Sequence, residues 1–536
     1  GNVEGMELIE QRLTIGNNDN RTITNTNLAA YDNGVSGDED IFHEIDGSND
    51  LTMTETSKPL AELYIKTGNT YRPASDNTGN VTVNDFEIPS GAIFTSDANT
   101  ITIKGDSTPF VVGGTFNEDT STFKYTSASA TSITPETYYH LSLEPSAAGS
   151  PTYTLNSGTY NTRNLTIGNG TNPVTINWTT NDPAINVGGN LLLNANSTWT
   201  KSDTATLTFN GATTPVSLTD NNSTKQDLGK LSIDGPKEVN VGSSITLQSI
   251  NVTAGDTLDL QSSGNELVIT GSGIGASRPF INDGSTNLGN STVNYVGTQN
   301  TEIQANYSTG YYNLRLDQSG TTFTATDICR VTNSFIIENG EYSPDNSTLS
   351  LEGSGDIFVV NDTFTAGTST VLYAGTINTN IALVDYYNLG IYDGFTTSSR
   401  TFTIPSGTLN ILNNLTVGSI SGITNITLDA NTNDPVINVT GNMLIRAYGV
   451  YLAASNQAYP LSVAGNFTNN GTFTHNNGKV ILNSAVDTSQ SLLGAVAFHT
   501  LEIATGDREV KLGTTGTKSI VANGSLTLTG TDCSNM

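Results

Sequence analysis

"STVNYVGTQNTEIQANYSTGYYNL" (residues 291–314) and "STVLYAGTINTNIALVDYYNL" (residues 369–389) are near copies of one sentence. Each opens on a Ser-Thr-Val run that ends in tyrosine, turns through Gly, Asn and Thr, and closes on Tyr-Tyr-Asn-Leu. Short alternating runs of Val, Ile, Thr, Tyr and Phe, punctuated by Gly, Asn, Asp and Pro, are the period-2 signature of short strands and tight turns. No stretch longer than one turn keeps a helical period, so the expected chain is all-β.

The echo belongs to a series. A landmark of the form aromatic-x-Leu-x-Ile/Leu recurs as "YYHLSL" (Tyr138 to Leu143), "YYNLRL" (Tyr311 to Leu316), "YYNLGI" (Tyr386 to Ile391) and "FHTLEI" (Phe498 to Ile503), with weaker forms "AELYI" and "LGKLSI". The central leucines are Leu63, Leu141, Leu231, Leu314, Leu389 and Leu501, with the shortest interval from Leu314 to Leu389 and the longest from Leu389 to Leu501. Repetition at a long, variable interval points to a modular repeat protein. In each Tyr-Tyr pair, neighbours on a strand face opposite ways, so one ring is expected inward and one outward.

Composition limits the alternatives. Of 536 residues only 13% are Asp, Glu, Lys or Arg, and 35% are hydrophobic. Apolar residues recur regularly between polar ones, which excludes a charge-rich disordered tail. The formal net charge of −29 repels phosphates and anionic lipid, so nucleic acid is not an expected partner, while divalent cations are attracted. No apolar run approaches the length a membrane-spanning helix needs, so none is expected. Two cysteines, Cys329 and Cys533, do not make a disulfide framework. The chain begins at Gly1 without a visible signal peptide; low Lys and Cys with abundant Thr and Asn fit an exported protein or fragment whose leader is already removed.

Two architectures satisfy the pattern. A right-handed parallel β-helix stacks short strands coil on coil and buries continuous apolar ladders. Tandem β-sandwiches close a two-sheet core in each module. The β-helix is favoured because the intervals vary without visible linkers, and a solenoid absorbs added coils more readily than a sandwich absorbs added strands. Residues 60–536 are expected to form one solenoid of five to six modules, with residues 1–59 a separate cap or assembly segment.

The modules resemble a repeat family of large secreted and surface proteins of bacteria and some archaea, which alternates F-x-N-L-x-I, G-N-F-T-N-N-G-T-F and S-T-V-x-F-x-G phrases. The matching residues are "YYNLRL", "YYNLGI", "AGNFTNNGTFTHNNGKVILN" (Ala464 to Asn483) and "STVNYVG". What this resemblance implies is a long β-solenoid with an adhesive, surface-layer or filament role, and no catalytic residues.

Chemistry-bearing residues are sparse. His43, His140, His475 and His499 are scattered, and His140 and His499 stand where other landmarks carry Asn313 and Asn388, which argues for packing or capping over acid–base duty. Acids such as Asp182, Asp345, Asp356 and Asp434 lie in expected turns. No catalytic residues are expected. The densest acidic run, Gly37 to Asp50, offers Asp38, Asp40, Glu44, Asp46 and Asp50, oxygen ligands of the kind calcium prefers, though not in EF-hand spacing. Sequons mark Asn80, Asn164, Asn196, Asn251, Asn290, Asn346 and Asn414 as glycosylation candidates. With roughly 25 residues per coil, Cys329 and Cys533 stand about eight coils, or ~40 Å, apart, which excludes a bridge between them within one chain but not one between subunits.

The expected function is that of an extracellular structural protein without catalysis. It assembles head-to-tail into a filament or surface lattice, because the sequence stops before a module is completed and leaves an uncovered coil. An adhesin or phage-type fibre stalk binding surface glycans is the alternative, and a polysaccharide-degrading β-helix enzyme the third.

Overall fold

The computed structural model describes residues 60–529, except 66, 69, 74–79, 202–203, 212–214, 236–237, 262–263, 306–309, 393–397, 420–423, 485–488 and 505–509. Before residue 60 it describes the backbone of strands Met6–Ile9, Arg12–Asn17, Thr22–Thr24, Phe42–Gly47 and Thr52–Thr54. Parallel stacked strands form a β-solenoid of about 19 turns. Among the described residues there is no α-helix, and one 3-10 turn spans Gly275–Ser277. Strand pairing is parallel throughout these stacks, with one antiparallel pair, Met6–Ile9 on Arg12–Asn17. Tandem sandwiches, whose sheets are antiparallel, are thereby ruled out.

The chain divides into two compact units. One comprises Gly1–Val268 with Ile281–Asn287, the other Ile269–Phe280 with Leu288–Met536. In the first unit Phe42–Gly47 pairs in parallel both with Arg12–Asn17 and with Leu60–Ile65.

In the second unit three faces are legible as columns of inward residues. One runs Val371, Leu389, Leu415, Met443, Phe467, Leu492, Leu512. A second runs Phe402, Leu428, Tyr451, Phe473. The third runs Leu409, Ile437, Leu461, Val480, Leu501, Leu526. In the first unit the corresponding columns are Ile101, Phe123, Leu141, Leu165, Leu191, Leu218, then Tyr160, Ile185, Leu207, Leu231, Ile250, and Tyr153, Ile176, Trp199.

The alternation in sequence produces these columns directly. Thr100–Ile103 and Lys479–Leu482 each put two residues inside and two toward solvent. A buried Leu, Ile or Phe contributes about 1.5–3 kcal/mol, so the core is a long sum of similar terms. Turn length is not constant: the turn that brings Phe123 beside Leu141 is short, and the one that brings Leu415 beside Met443 is much longer. Corners absorb that variation. At Gly418, φ is +92° and a Cβ would lie 2.3 Å from the Gly449 backbone, so adjacent turns close there only on glycine.

Candidate functional site

The repeated sentence builds one device three times. In unit one, the strand-end Tyr125 meets the landmark Tyr138 with hydroxyls 3.4 Å apart. In unit two, Tyr295 meets Tyr311 at 3.1 Å and Tyr373 meets Tyr386 at 3.0 Å. Each landmark tyrosine donates to a main-chain carbonyl, Thr134 at 2.8 Å, Gln304 at 2.6 Å and Ala382 at 2.8 Å. Tyr295 and Tyr373 in turn accept from the Gln304 and Ala382 amides, at 3.2 and 3.0 Å. All six rings are buried. Burial pushes the Tyr373 phenol up to about 12, and that of Tyr386 well above its ordinary value. A neutral phenol is held where it satisfies buried main-chain groups.

Between the two tyrosines the chain makes a tight turn. Thr131, Thr301 and Thr379, each buried, donate to the carbonyl two residues earlier: Ser129 (3.0 Å), Gln299 (2.7 Å) and Ile377 (3.0 Å). A Cβ at Gly375 would lie 2.5 Å from the Gly353 carbonyl, which explains the glycine in that copy. The fourth landmark departs from the rule. Its preceding strand, Lys479–Leu482, ends in leucine, and Phe498 packs on Phe467 and Phe473 instead.

The outward members of the Tyr-Tyr pairs are half-buried, as the alternation predicts. They do not form a stripe. Leu314 stacks with Val293 and Phe335, Leu389 with Val371 and Leu415, and Leu501 with Val480, three separate columns. Tyr312 and Tyr387 therefore stand at different corners. The first unit behaves alike, with Leu141 and Leu231 on different faces. Its outward Tyr139 carries the Arg163 guanidinium 5.8 Å above its ring.

What does line up along the stack is an asparagine ladder. Asn388 accepts from the Asn414 amide nitrogen at 3.4 Å, Asn414 from that of Asn442 at 3.1 Å, Asn442 from that of Asn466 at 2.8 Å, and Asn466 from that of Ser491 at 2.8 Å. In the first unit Asn164 accepts from Asn190 and Asn190 from Ser217, both at 2.8 Å. Asn80 serves Thr100 in the same way at 2.8 Å. The side-chain carbonyl of each takes up a main-chain N–H of the next turn at the point where a strand begins, where that N–H would otherwise lack a sheet partner. His140 tops the first-unit ladder, its Nδ1 2.8 Å from the Asn164 side-chain nitrogen. Burial first, then Arg163, holds its pKa below the ordinary range. His140 is thus a capping group.

The remaining expected site residues separate. Asn80, Asn164 and Asn414 are ladder members; Asn251 is half-buried in Ser249–Val252; Asn196, Asn290 and Asn346 occupy turns. Asp182, Asp345 and Asp434 sit at turns with φ of +46°, +58° and +48°. Asp434 accepts from Ser455 on the next turn, and Asp356 from Asn380 at 2.7 Å. His475 and His499 approach with ring centroids 6.0 Å apart, but the Nδ1 of His475 already accepts from the Asn477 amide. Of the calcium candidates, Asp38, Asp40 and Asp50 lie outside the described residues, and Glu44 and Asp46 fall on strand Phe42–Gly47, of which only the backbone is described. Among the described residues no group of three or more His, Cys, Asp or Glu is placed to hold a metal ion. Cys329 is buried and free, its thiol pushed up to about 12 by burial, and Cys533 lies outside the described residues. No described helix is long and apolar enough to cross a membrane.

One surface breaks the pattern of covered columns. In the last described turn, Leu512, Leu526 and Leu528 continue the inward columns yet are 61%, 53% and 49% exposed. Leu492 and Leu501, the partners of Leu512 and Leu526 one turn earlier, are 1% and 6% exposed. Along its outer edge, Lys518–Leu528 has no strand partner among the described residues.

Set against protein-family models, curated proteins and solved structures, the chain matches none.

Proposed function

We propose that this chain is an extracellular structural protein whose β-solenoid is a building block, assembled end to end into a filament or lattice, with no catalytic role. The observation that carries the proposal is the last described turn, where three leucines in core register lie open beside a strand edge that has no partner among the described residues. A free edge backed by apolar side chains is a template for another strand, and solenoids ordinarily cover it. The repeated device supports the same reading: its six tyrosines and its ladder of asparagines spend their polar groups on the chain's own backbone. The likeness to secreted repeat proteins rests on the quoted phrases and enters here as part of the proposal, as does export from the cell.

A glycan-binding stalk draws on outward aromatics, and Tyr312 and Tyr387 stand at different corners, so the assembly reading is preferred. Calcium bound by the Gly37–Asp50 run belongs to the proposal, and an unchanged melting temperature after chelation removes it. Glycans, if attached, are expected on the turns at Asn196, Asn290 and Asn346, and intact mass of the protein from its native source decides this. Assembly itself is tested by sedimentation velocity at rising concentration. Continuous growth in mass supports the proposal, and a single-chain species at every concentration refutes it.

A further inference from the structure

One corner of the second unit is held by an imidazole. Elsewhere the chain turns corners with an asparagine or aspartate whose side-chain oxygen accepts the N–H two residues on: Asn169 from Thr171 at 2.9 Å, Asp429 from Asn431 at 2.8 Å, Asn456 from Ala458 at 2.9 Å and Asn469 from Gly471 at 3.2 Å. Where strand Thr472–Thr474 ends, His475 takes that place, and its Nδ1 accepts from the Asn477 amide at 3.1 Å. A main-chain amide only donates, so Nδ1 is bare and the ring proton sits on Nε2. The corner depends on this bond, because Asn476 and Asn477 are both left-handed, with φ of +43° and +64°. The Gly478 amide returns to the His475 carbonyl at 2.7 Å and closes the turn. On the next turn the His499 ring lies 6.0 Å away, its Nδ1 3.2 Å from the Thr500 hydroxyl and 3.5 Å from the Gln457 side-chain nitrogen. Both imidazoles are half-buried. Among the described residues, the charged groups on the elements packed around them have partners of their own. Lys479 pairs with Glu502 at 2.5 Å, Asp434 accepts from Ser455, Arg446 lies over the Tyr392 ring, and Lys518 donates to the Gly513 and Thr515 carbonyls.

We propose that the corner Thr474–Gly478 is an acid-operated latch. An imidazole changes charge between about pH 8 and pH 5. At His475 the proton arrives from solvent and binds the Nδ1 lone pair, which leaves N–H groups on both ring nitrogens. The Asn477 amide then loses its acceptor and faces a donor. A proton on His499 as well sets two positive charges on adjacent turns with ring centroids 6.0 Å apart, and their repulsion adds to the loss. The amide oxygens of Asn456 and Asn469 take up no proton in that range, so their corners stay closed while this one opens. The corner leads into Lys479–Leu482, whose Val480 lies under Leu501, itself under the exposed Leu526. The loosening therefore falls two turns beneath that leucine, whether or not the chain assembles.

The test is hydrogen exchange of the full chain, read by mass spectrometry on peptides within residues 472–482, at about pH 8 and about pH 5. Each rate is referred to that of the unfolded chain at the same pH, which removes the intrinsic pH dependence of exchange. H475N supplies an acceptor that does not titrate, as Asn456 and Asn469 do in their corners. The wild type is expected to lose roughly fivefold more protection on acidification than H475N, the change that losing one ordinary hydrogen bond amounts to. The two are expected to match at the higher pH, and H499N to keep most of the wild-type loss. Equal losses in wild type and H475N, or no loss in wild type, overturn the latch. Far-ultraviolet circular dichroism verifies the fold of each variant. The nitrogen-15 spectrum of the histidine-labelled wild type, assigned by elimination with H43N, H140N and H499N, tests the premise without H475N. His475 is expected in its Nε2–H form at the higher pH, and an Nδ1–H form there overturns the proposal even where H475N fails to fold.

Discussion

Removing one oxygen at Tyr386 leaves two interior groups short of a partner: the Ala382 carbonyl and the Tyr373 hydroxyl. Y386F is therefore expected to lower stability by about 1–3 kcal/mol, the usual cost of an unsatisfied buried polar group, read from urea unfolding by near-ultraviolet circular dichroism. A change below about 0.5 kcal/mol would assign the pair no structural work. The same tyrosines set an alkaline limit. Their folded pKa values are raised above the unfolded value of about 10, so their neutral form is kept as pH rises, and stability falls once pH passes about 10 and the unfolded chain, but not the folded one, can ionise them. Phenolate absorbance of the buried rings is expected to appear together with loss of sheet signal; ionisation well before unfolding would contradict the burial. His140 loses stability at the other end of the scale. Its lowered pKa gives a contribution present above the unfolded value, about 6.5, and lost as pH falls through the folded one. At this scale the inward and outward tyrosines were legible from strand alternation. Their partners were not, because Tyr125, Tyr295 and Tyr373 meet the landmark only once the turn between them is folded.

Each strand is short, and its stability comes from the column it joins. Leu415 lies between Leu389 and Met443 and is wholly buried, whereas its neighbour Thr416 faces outward. L415A is expected to cost about 2–5 kcal/mol through lost burial and a cavity. T416A is expected to stay within about 0.5 kcal/mol, and equal losses at the two positions would deny the inward assignment. N442A removes the acceptor for the Asn466 amide and is expected to cost about 1 kcal/mol, with faster hydrogen exchange at Asn466 as the local readout. Strands and turns could be read from the sequence because alternation and turn residues are local signals. The ladder could not, since Asn is so frequent that a position acquires meaning only when the register is known. Nor could the face of each landmark, because turns of unequal length hide the phase between modules.

At the scale of the whole molecule, the landmark repeats on different faces within each unit, so neither unit aligns its outward tyrosines into a stripe. Short alternating runs indicated an all-β chain, and the unequal intervals between landmarks, without visible linkers, favoured the β-solenoid over tandem sandwiches because a solenoid absorbs added coils more readily. The exposed leucines Leu512, Leu526 and Leu528 became visible only once the register was known. The measurement that tests self-assembly most directly is negative-stain electron microscopy of the full chain over a concentration series, with L526D/L528D beside it. The account predicts filaments or sheets that lengthen with concentration in the wild type and isolated particles in the variant. Isolated particles from both at every concentration, or identical assemblies from both, would contradict it.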